Sequence, residues 1–335
     1  MFRRRAAGSW ADAPVSRPGP GHGLTAAGQP AGSEPPSAAA AVAEPTGRDP
    51  GGTPPPGLDV SAAHPARVWN YWLGGRDYFA ADRAAGEQLS REFPHLAQTA
   101  RTERAFLVRA VRFLAGPARI RQFLDIGAGL PAGGNTHEIV QRIAPDTGIV
   151  YADNDPAVLV HARALLQNPM LASTPEGVVS YVDADLRDVT AVLAGTARTL
   201  DLGKPVALIM LGILGHLDDY GAARSITSQL MDALPTGSYL AVADGVAGSG
   251  PVDDAQQRYN GAAAVPYHLR RPDQVASFFD GLDLIEPGVV PCPRWKPDAS
   301  GAPSAPGAPG APGAPGAGAW PADEAAVYCG MARKP

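Results

Sequence analysis

The stretch Gln122-Phe-Leu-Asp-Ile-Gly-Ala-Gly-Leu-Pro-Ala-Gly-Gly-Asn-Thr-His-Glu138 restricts the possible folds of this chain more than any other. Phe123, Leu124 and Ile126 suit the end of a buried strand, and Gly127 and Gly129 let the backbone turn tightly and approach a ligand without Cβ interference. Asn135, followed three residues later by Glu138, reads as a helix N-cap with its capping-box partner, ahead of Ile139, Val140 and Ile143. Strand, glycine loop and helix in that order describe a nucleotide-binding turn.

Around this turn the chain alternates. Residues 148–153, 178–183, 205–211 and 238–243 read as further strands, with 205–211 apolar throughout, as a strand buried on both faces should be. Between them lie helices: one from Pro156 with Val158, Leu159, Ala162, Leu165 and Leu166 inward, one around 189–194, and one capped by Asp218 or Asp219 that carries Ala222, Ile226, Leu230 and Leu234. A short helix from Pro272 with Val275, Phe278 and Phe279, a sixth strand over 282–290 and a seventh over 325–331 complete the pattern. Such alternation predicts a parallel sheet with helices on both faces and ligand chemistry at the strands' carboxyl ends. A helical preface comes first. It runs from Pro65 to a stop at Gly74-Gly75, then over about 80–90, then over 96–114, where Ala100, Phe106, Leu107, Ala110, Val111 and Leu114 form one stripe and Arg101, Arg104, Arg109 and Arg112 a solvated face.

Composition matters at the edges. Much of the Gly and Pro (39 and 35 residues) falls in two segments without apolar periodicity. Residues 1–57 are expected to be disordered, because they cannot bury enough surface to offset the entropy of ordering, and 298–319, with its Gly-Ala-Pro triplets, reads as a flexible insertion. That leaves one folded domain over 58–335, with a preface over 58–116 and a core over 117–335. Arg3, Arg4 and Arg5 lack a following apolar h-region, and no stretch approaches a membrane span, so neither export nor a membrane partner is expected. The net charge of -5 offers nucleic acid no global attraction. Cys292 and Cys329 are too few for a disulfide framework and fit a reducing cytoplasm.

Three acids stand at successive strand ends: Asp125, Asp153 and Asp185. A carboxylate after the second strand accepts both hydroxyls of a ribose, and one after the third can meet an adenine amino group. Two cofactors compete for this pattern. Gly127-Ala-Gly129-Leu-Pro-Ala132 matches the dinucleotide fingerprint literally, with Asp153 near the distance of its ribose acid, which makes an NAD-linked oxidoreductase one reading. Against it, Pro131 and Gly133-Gly134 delay the helix that should face a pyrophosphate, and Asp125 adds negative charge there. Asp125 suits the cationic amino-acid end of S-adenosylmethionine.

Pro65-Ala-Arg-Val-Trp-Asn-Tyr-Trp-Leu-Gly-Gly-Arg-Asp-Tyr-Phe-Ala-Ala-Asp82, Phe123-Leu-Asp-Ile-Gly-Ala-Gly-Leu-Pro131 through Gly134-Asn-Thr-His137, and Val150-Tyr-Ala-Asp-Asn-Asp-Pro156 together resemble the actinobacterial S-adenosyl methyltransferase family, formerly a domain of unknown function. The resemblance implies a Rossmann-like class I methyltransferase fold with a seven-stranded, mostly parallel sheet, an antiparallel last strand, an N-terminal helical lid and S-adenosylmethionine as cofactor. It implies that Gly127, Ala128 and Gly129 line the methionine part, Asp153 binds the ribose, Asn154 flanks the adenine, and Asp185 with Leu186 meets the adenine edge. It further implies that Asn70, Tyr71, Gly74, Gly75 and Asp77 belong to the lid. Asn135, at the helix start, completes the set of cofactor-binding candidates.

Methyl transfer from a sulfonium needs alignment and, for some acceptors, removal of a proton. His216 follows the fourth strand, where the acceptor should arrive, and is the candidate base. Tyr267 and His268, after the fifth strand, could line the acceptor side but read more readily as surface loop. The fourth strand lacks an Asn-Pro-Pro-Tyr ending, which argues against methylation of a base amino group and, with the charge, against nucleic acid. No His, Cys or carboxylate set has metal spacing; Asp244 and Asp253 are only scattered acids. The resulting expectation is a methyltransferase acting on a small molecule, with an oxidoreductase or a non-catalytic binding module as the other readings.

Overall fold

The computed structural model describes residues 58–92, 96–131, 134–166, 177–248, 250–262, 265–296 and 326–335. The 1–57 segment and the 298–319 insertion lie outside the described residues.

Five parallel strands, β1 (Gln122–Ile126), β2 (Gly148–Asp153), β3 (Val178–Asp183), β4 (Ala207–Leu211) and β5 (Tyr239–Gly245), pair in the order β3-β2-β1-β4-β5. The strand order reverses direction between β1 and β4, which opens a crevice at their carboxyl ends. β8 (Val327–Arg333) runs antiparallel beside β5, with Tyr239 opposite Arg333 and Gly245 opposite Val327.

The expected sixth strand is two. β6 (Asp283–Leu284) and β7 (Val290–Pro291) both pair antiparallel with β8, so the sheet has eight strands among the described residues. Between them lies Glu286-Pro287-Gly288, where Pro287 has no N–H for a ladder and Gly288 takes a φ of 83°.

Period-two alternation sends the strands' side chains to opposite faces. On one face Phe123, Ile149 and Ile209 meet Phe106, Val111 and Leu114 of α3 (Leu96–Ala115) and Val140 of α4 (Thr136–Ile143). On the other, Leu124, Val150, Leu208 and Leu240 meet Val192 of α6 (Val189–Thr196) and Ile226 and Leu230 of α7 (Tyr220–Asp232). Leu208, Ile209 and Met210 of β4 are wholly buried, as a central strand requires. The six-residue stripe expected on α3 is buried throughout, so this helix is a layer of the core. Two of its arginines are not solvated: Arg104 reaches Asn135, and Arg109 donates to the carbonyls of Trp295 (2.8 Å) and Cys292 (2.7 Å).

Smaller differences have local causes. Ile143 ends α4 half-exposed, and Ala223 rather than Ala222 faces inward on α7. Asp219 caps α7 by accepting from the Ala222 N–H, and Asp155 does the same for Ala157 at the start of α5 (Pro156–Leu166). α8 (Gly250–Ala262) was not legible, because its sequence has little apolar periodicity; Tyr259 packs it onto α1 (Pro65–Trp72) and α2 (Ala80–Glu92). α9 (Pro272–Ala276) follows. No described helix is long and apolar enough to cross a membrane.

Candidate functional site

The glycine loop is held open by its own geometry. Gly127 takes a φ of 73°, donates its N–H to the Ala152 carbonyl at 2.8 Å, and has no room for a Cβ, which would stand 2.7 Å from Ile213. Gly129, at a φ of 63°, faces open space. Asp153 at the end of β2 ties the loop down, since one oxygen accepts from the Gly129 N–H (3.0 Å) and the other from the Asp155 N–H (2.9 Å). Burial pushes the Asp153 carboxyl up while these two donors oppose it. Each oxygen keeps a lone pair for a further donor.

Asp125 lies one strand away, buried, accepting from Thr136 Oγ1 at 2.6 Å. Burial raises it to about 6, with the Thr136 hydroxyl and the Arg104 guanidinium pulling the other way. Asn135 occupies the N-cap of α4, yet its side chain accepts no first-turn N–H. Its Oδ1 takes Arg104 Nη2 (3.0 Å), its amide donates to Glu138 (2.7 Å), and Glu138 in turn accepts from the Gly134 N–H (3.1 Å). A carboxylate therefore covers the helix start where a diphosphate would bind.

One cavity of about 370 Å³ runs along these strand ends. It brings together Asp125, Gly127, Ala128, Gly129, Asp153, Asn154, Asp185, Leu186 and His216. Tyr71, Gly75 and Asn135 are not among its lining residues. Tyr71 packs edge-on against Tyr78, and Gly75 makes room for Asn70, whose side chain a Cβ there would meet at 2.3 Å. Asn70 ties the preface to the loop, donating to the Pro131 carbonyl (3.0 Å) and accepting from the Asp77 N–H (3.0 Å), while Leu58 and Ala66 pack against the cluster that holds Leu130. At the adenine-side end, Asp185 is engaged by Asn154 (3.1 Å) and by Arg187, whose second nitrogen holds the His216 carbonyl.

The end of β4 carries the residues that sequence reasoning missed. Glu103 of α3 is buried and reaches over Gly212, where a Cβ would stand 3.0 Å from its Oε1. Its signal was present: Glu103 sits at helical spacing among Ala100, Leu107 and Ala110, a charge on an apolar face. Tyr267 lines the cavity, as the less favoured of its two readings has it, and donates to Asp244 of β5, while its hydroxyl accepts from the Gly245 N–H. Asp244 also pairs with Arg270 at 3.2 Å and is raised by burial to about 6, against the pull of Tyr267 and Arg270. His216 lines the same end, with Nδ1 2.8 Å from the Pro266 carbonyl, which fixes a proton on that nitrogen. Burial lowers its pKa, so the ring is neutral.

Burial, followed by the neighbouring Asp244 charge, raises Glu103 to about 8. A carboxyl raised on folding stabilises the native state most below its unfolded value, and that stability is lost as pH rises through the folded value. Asp125 and Asp244 complete this loss near pH 6, and the neutral His137 and His216 act in the opposite sense below about 6.5. Between pH 7 and 8, below the range in which the unfolded state sheds the thiol proton of buried Cys292 (about 8.5), the decline is that of Glu103. Thermal melts are expected to fall across this window, with a slope of at most about 1.4 kcal/mol per pH unit. In E103Q that slope disappears; a wild-type curve flat over the window would contradict the assignment.

The model of the S-adenosyl methyltransferase family matches residues 52–335. A crystal structure of a DUF574 family protein from Streptomyces avermitilis is 40% identical and superposes with a TM-score of 0.73, covering 83% of this chain and 99% of that one. A putative methyltransferase from Thermobifida fusca is 36% identical, with a TM-score of 0.71 over 84% of this chain and 98% of its own. No curated protein matches the chain.

Proposed function

The chain belongs to the S-adenosyl methyltransferase family and is an S-adenosylmethionine-dependent methyltransferase, and from that premise we propose that the cavity at the ends of β1, β2 and β4 binds this cofactor beside a small-molecule acceptor. The observation that carries the reading is the placement of carboxylates around an open glycine loop: Asp125 and Asp153 flank Gly127–Gly129, and Glu138 covers the N-terminus of α4. Such a loop favours a cation and a ribose over a diphosphate.

In this assignment the Asp153 lone pairs accept the ribose hydroxyls, Asp125 faces the ammonium of the methionine part, and Gly127, Ala128 and Gly129 leave the backbone room to approach it. Asn154, Asp185 and Leu186 border the adenine. When bound, the cofactor supplies an activated methyl group. Asn70, anchored on Pro131, closes the side of the cavity above the loop. His216 stands on the acceptor side with a neutral ring able to take a proton at Nε2. Tyr71, Gly75 and Asn135 act by shaping the preface and the helix start, not by contact. Two buried, free cysteines, Cys292 and Cys329, support a cytoplasmic setting.

Calorimetry tests the assignment. S-adenosylmethionine is expected to bind one to one and NAD not at all; the reverse would sink it. Affinity should rise with pH from about 5 to 7, as Asp125 ionises through about 6 to meet the ammonium.

A further inference from the structure

Glu103 is 6% exposed, lines the cavity, and its carboxyl makes no hydrogen bond to any described residue. A buried carboxyl without a partner costs free energy unless a ligand supplies a donor. Its position identifies the ligand's reacting end. It lies over Gly212, immediately past β4, between Asp125 of β1 and Asp244 of β5. The cavity it lines also carries the apolar and aromatic side chains of Trp69, Trp72, Leu107, Tyr259, Tyr267 and Leu269. The His216 ring stands edge-on to Tyr267 (centroids 5.0 Å) with Nδ1 held by the Pro266 carbonyl, while Arg187 ties its backbone carbonyl to Asp185.

Resting on the methyltransferase reading, we propose that Glu103 takes the proton from the methyl acceptor, and that this acceptor is an uncharged, largely apolar aromatic molecule methylated on a hydroxyl group. The acceptor oxygen forms the new bond to the methyl carbon as the carbon–sulfur bond breaks. The electron pair of that bond stays on sulfur, which becomes a neutral thioether, and the O–H proton passes to the Glu103 carboxylate. A neutral amine would need no such base to attack, and an ammonium would bring a second cation into an apolar arm beside the sulfonium. A hydroxyl on an aromatic ring has a pKa near that of tyrosine, about 10, so its attack gains from a proton acceptor stronger than an ordinary carboxylate. Burial and Asp244 make Glu103 such a group, with Arg104 of the same helix opposing them and Tyr267 hydrogen-bonded to Asp244.

The test uses the full chain with 2-naphthol and 2-naphthylamine, which share one aromatic frame and differ in the reacting atom. Binding of S-adenosylmethionine to the wild type is measured first; its absence would overturn the cofactor reading itself. With the cofactor bound, both arenes are titrated into protein saturated with S-adenosylhomocysteine, and transfer of a labelled methyl group is followed. The expected result is methylation of 2-naphthol in preference to the amine. E103Q should lower that rate at least about 100-fold while its cofactor affinity stays within about threefold of wild type. E103D, which keeps the carboxyl but withdraws it, should fall between. The proposal is overturned if neither arene binds, if the amine is preferred, or if E103Q transfers within about tenfold of wild type.

Discussion

Replacing Asp153 with alanine is expected to weaken S-adenosylmethionine binding by about 2–4 kcal/mol, or about 30- to 1,000-fold. Two losses combine. The ribose hydroxyls lose their charge-assisted acceptor, and the N–H groups of Gly129 and Asp155 lose theirs, so the loop that should receive the ligand is no longer held at 3.0 Å from β2. Asp153→Asn separates them in part, because its amide oxygen can keep one N–H while the charge is gone. Calorimetry on a variant whose melting remains cooperative measures both. An alanine variant that binds within threefold of wild type would show that the ribose lies elsewhere.

Arg270→Met is the substitution with the largest expected effect on folding, about 3–5 kcal/mol at pH 8. The guanidinium neutralises wholly buried Asp244, donates to the Leu217 carbonyl at 2.6 Å and lies 5.7 Å from the centre of the Phe278 ring. Without it a carboxylate is left without its cation. Asp244 already titrates near 6, and removing its cation raises that value, so at pH 5 the carboxyl is protonated and the loss is smaller. Urea unfolding at the two pH values tests the sign. Equal losses at both, or a loss below about 1 kcal/mol, would mean that Asp244 is neutral throughout. Pairing Arg270→Met with Asp244→Asn should recover part of the loss at pH 8.

The strand-loop-helix turn and the alternation around it were legible because both rest on local rules: apolar runs of strand length, glycines where φ is positive, acids that cap helices. Gly127, Gly129, Asp153 and the bounds of β2 and β3 needed nothing from distant residues. The acceptor side was illegible for the opposite reason. Glu103, Asp244 and Tyr267 come from α3, β5 and the loop after α8, and only the closed sheet brings them together. Arg104 and Arg109 looked solvated because spacing alone does not reveal that Asn135 and the Cys292 and Trp295 carbonyls lie within their reach. The broken sixth strand was visible in Pro287 and Gly288, but its apolar run outweighed them in the reading. Of the preface residues that the resemblance named, Asn70 lines the cavity, whereas Tyr71 and Gly75 pack behind it.

One wall of the cavity does not rest on the sheet. Trp72, Val68, Leu89 and Ala100 form a small apolar cluster of their own, joined by Tyr259 and stapled by the buried Arg67–Asp82 pair, whose remaining groups are met by His64, Phe79, Asp59 and Ala62. A cluster of that size opens at a lower free energy than the core on either face of the sheet. Sub-global opening of α1, α2 and α8 therefore uncovers the ligands while β1 to β5 stay folded. In hydrogen exchange these helices are expected to form a separate cooperative unit, and cofactor exchange to proceed at the rate of that unit's opening; protection equal to that of β1 to β5 would contradict this.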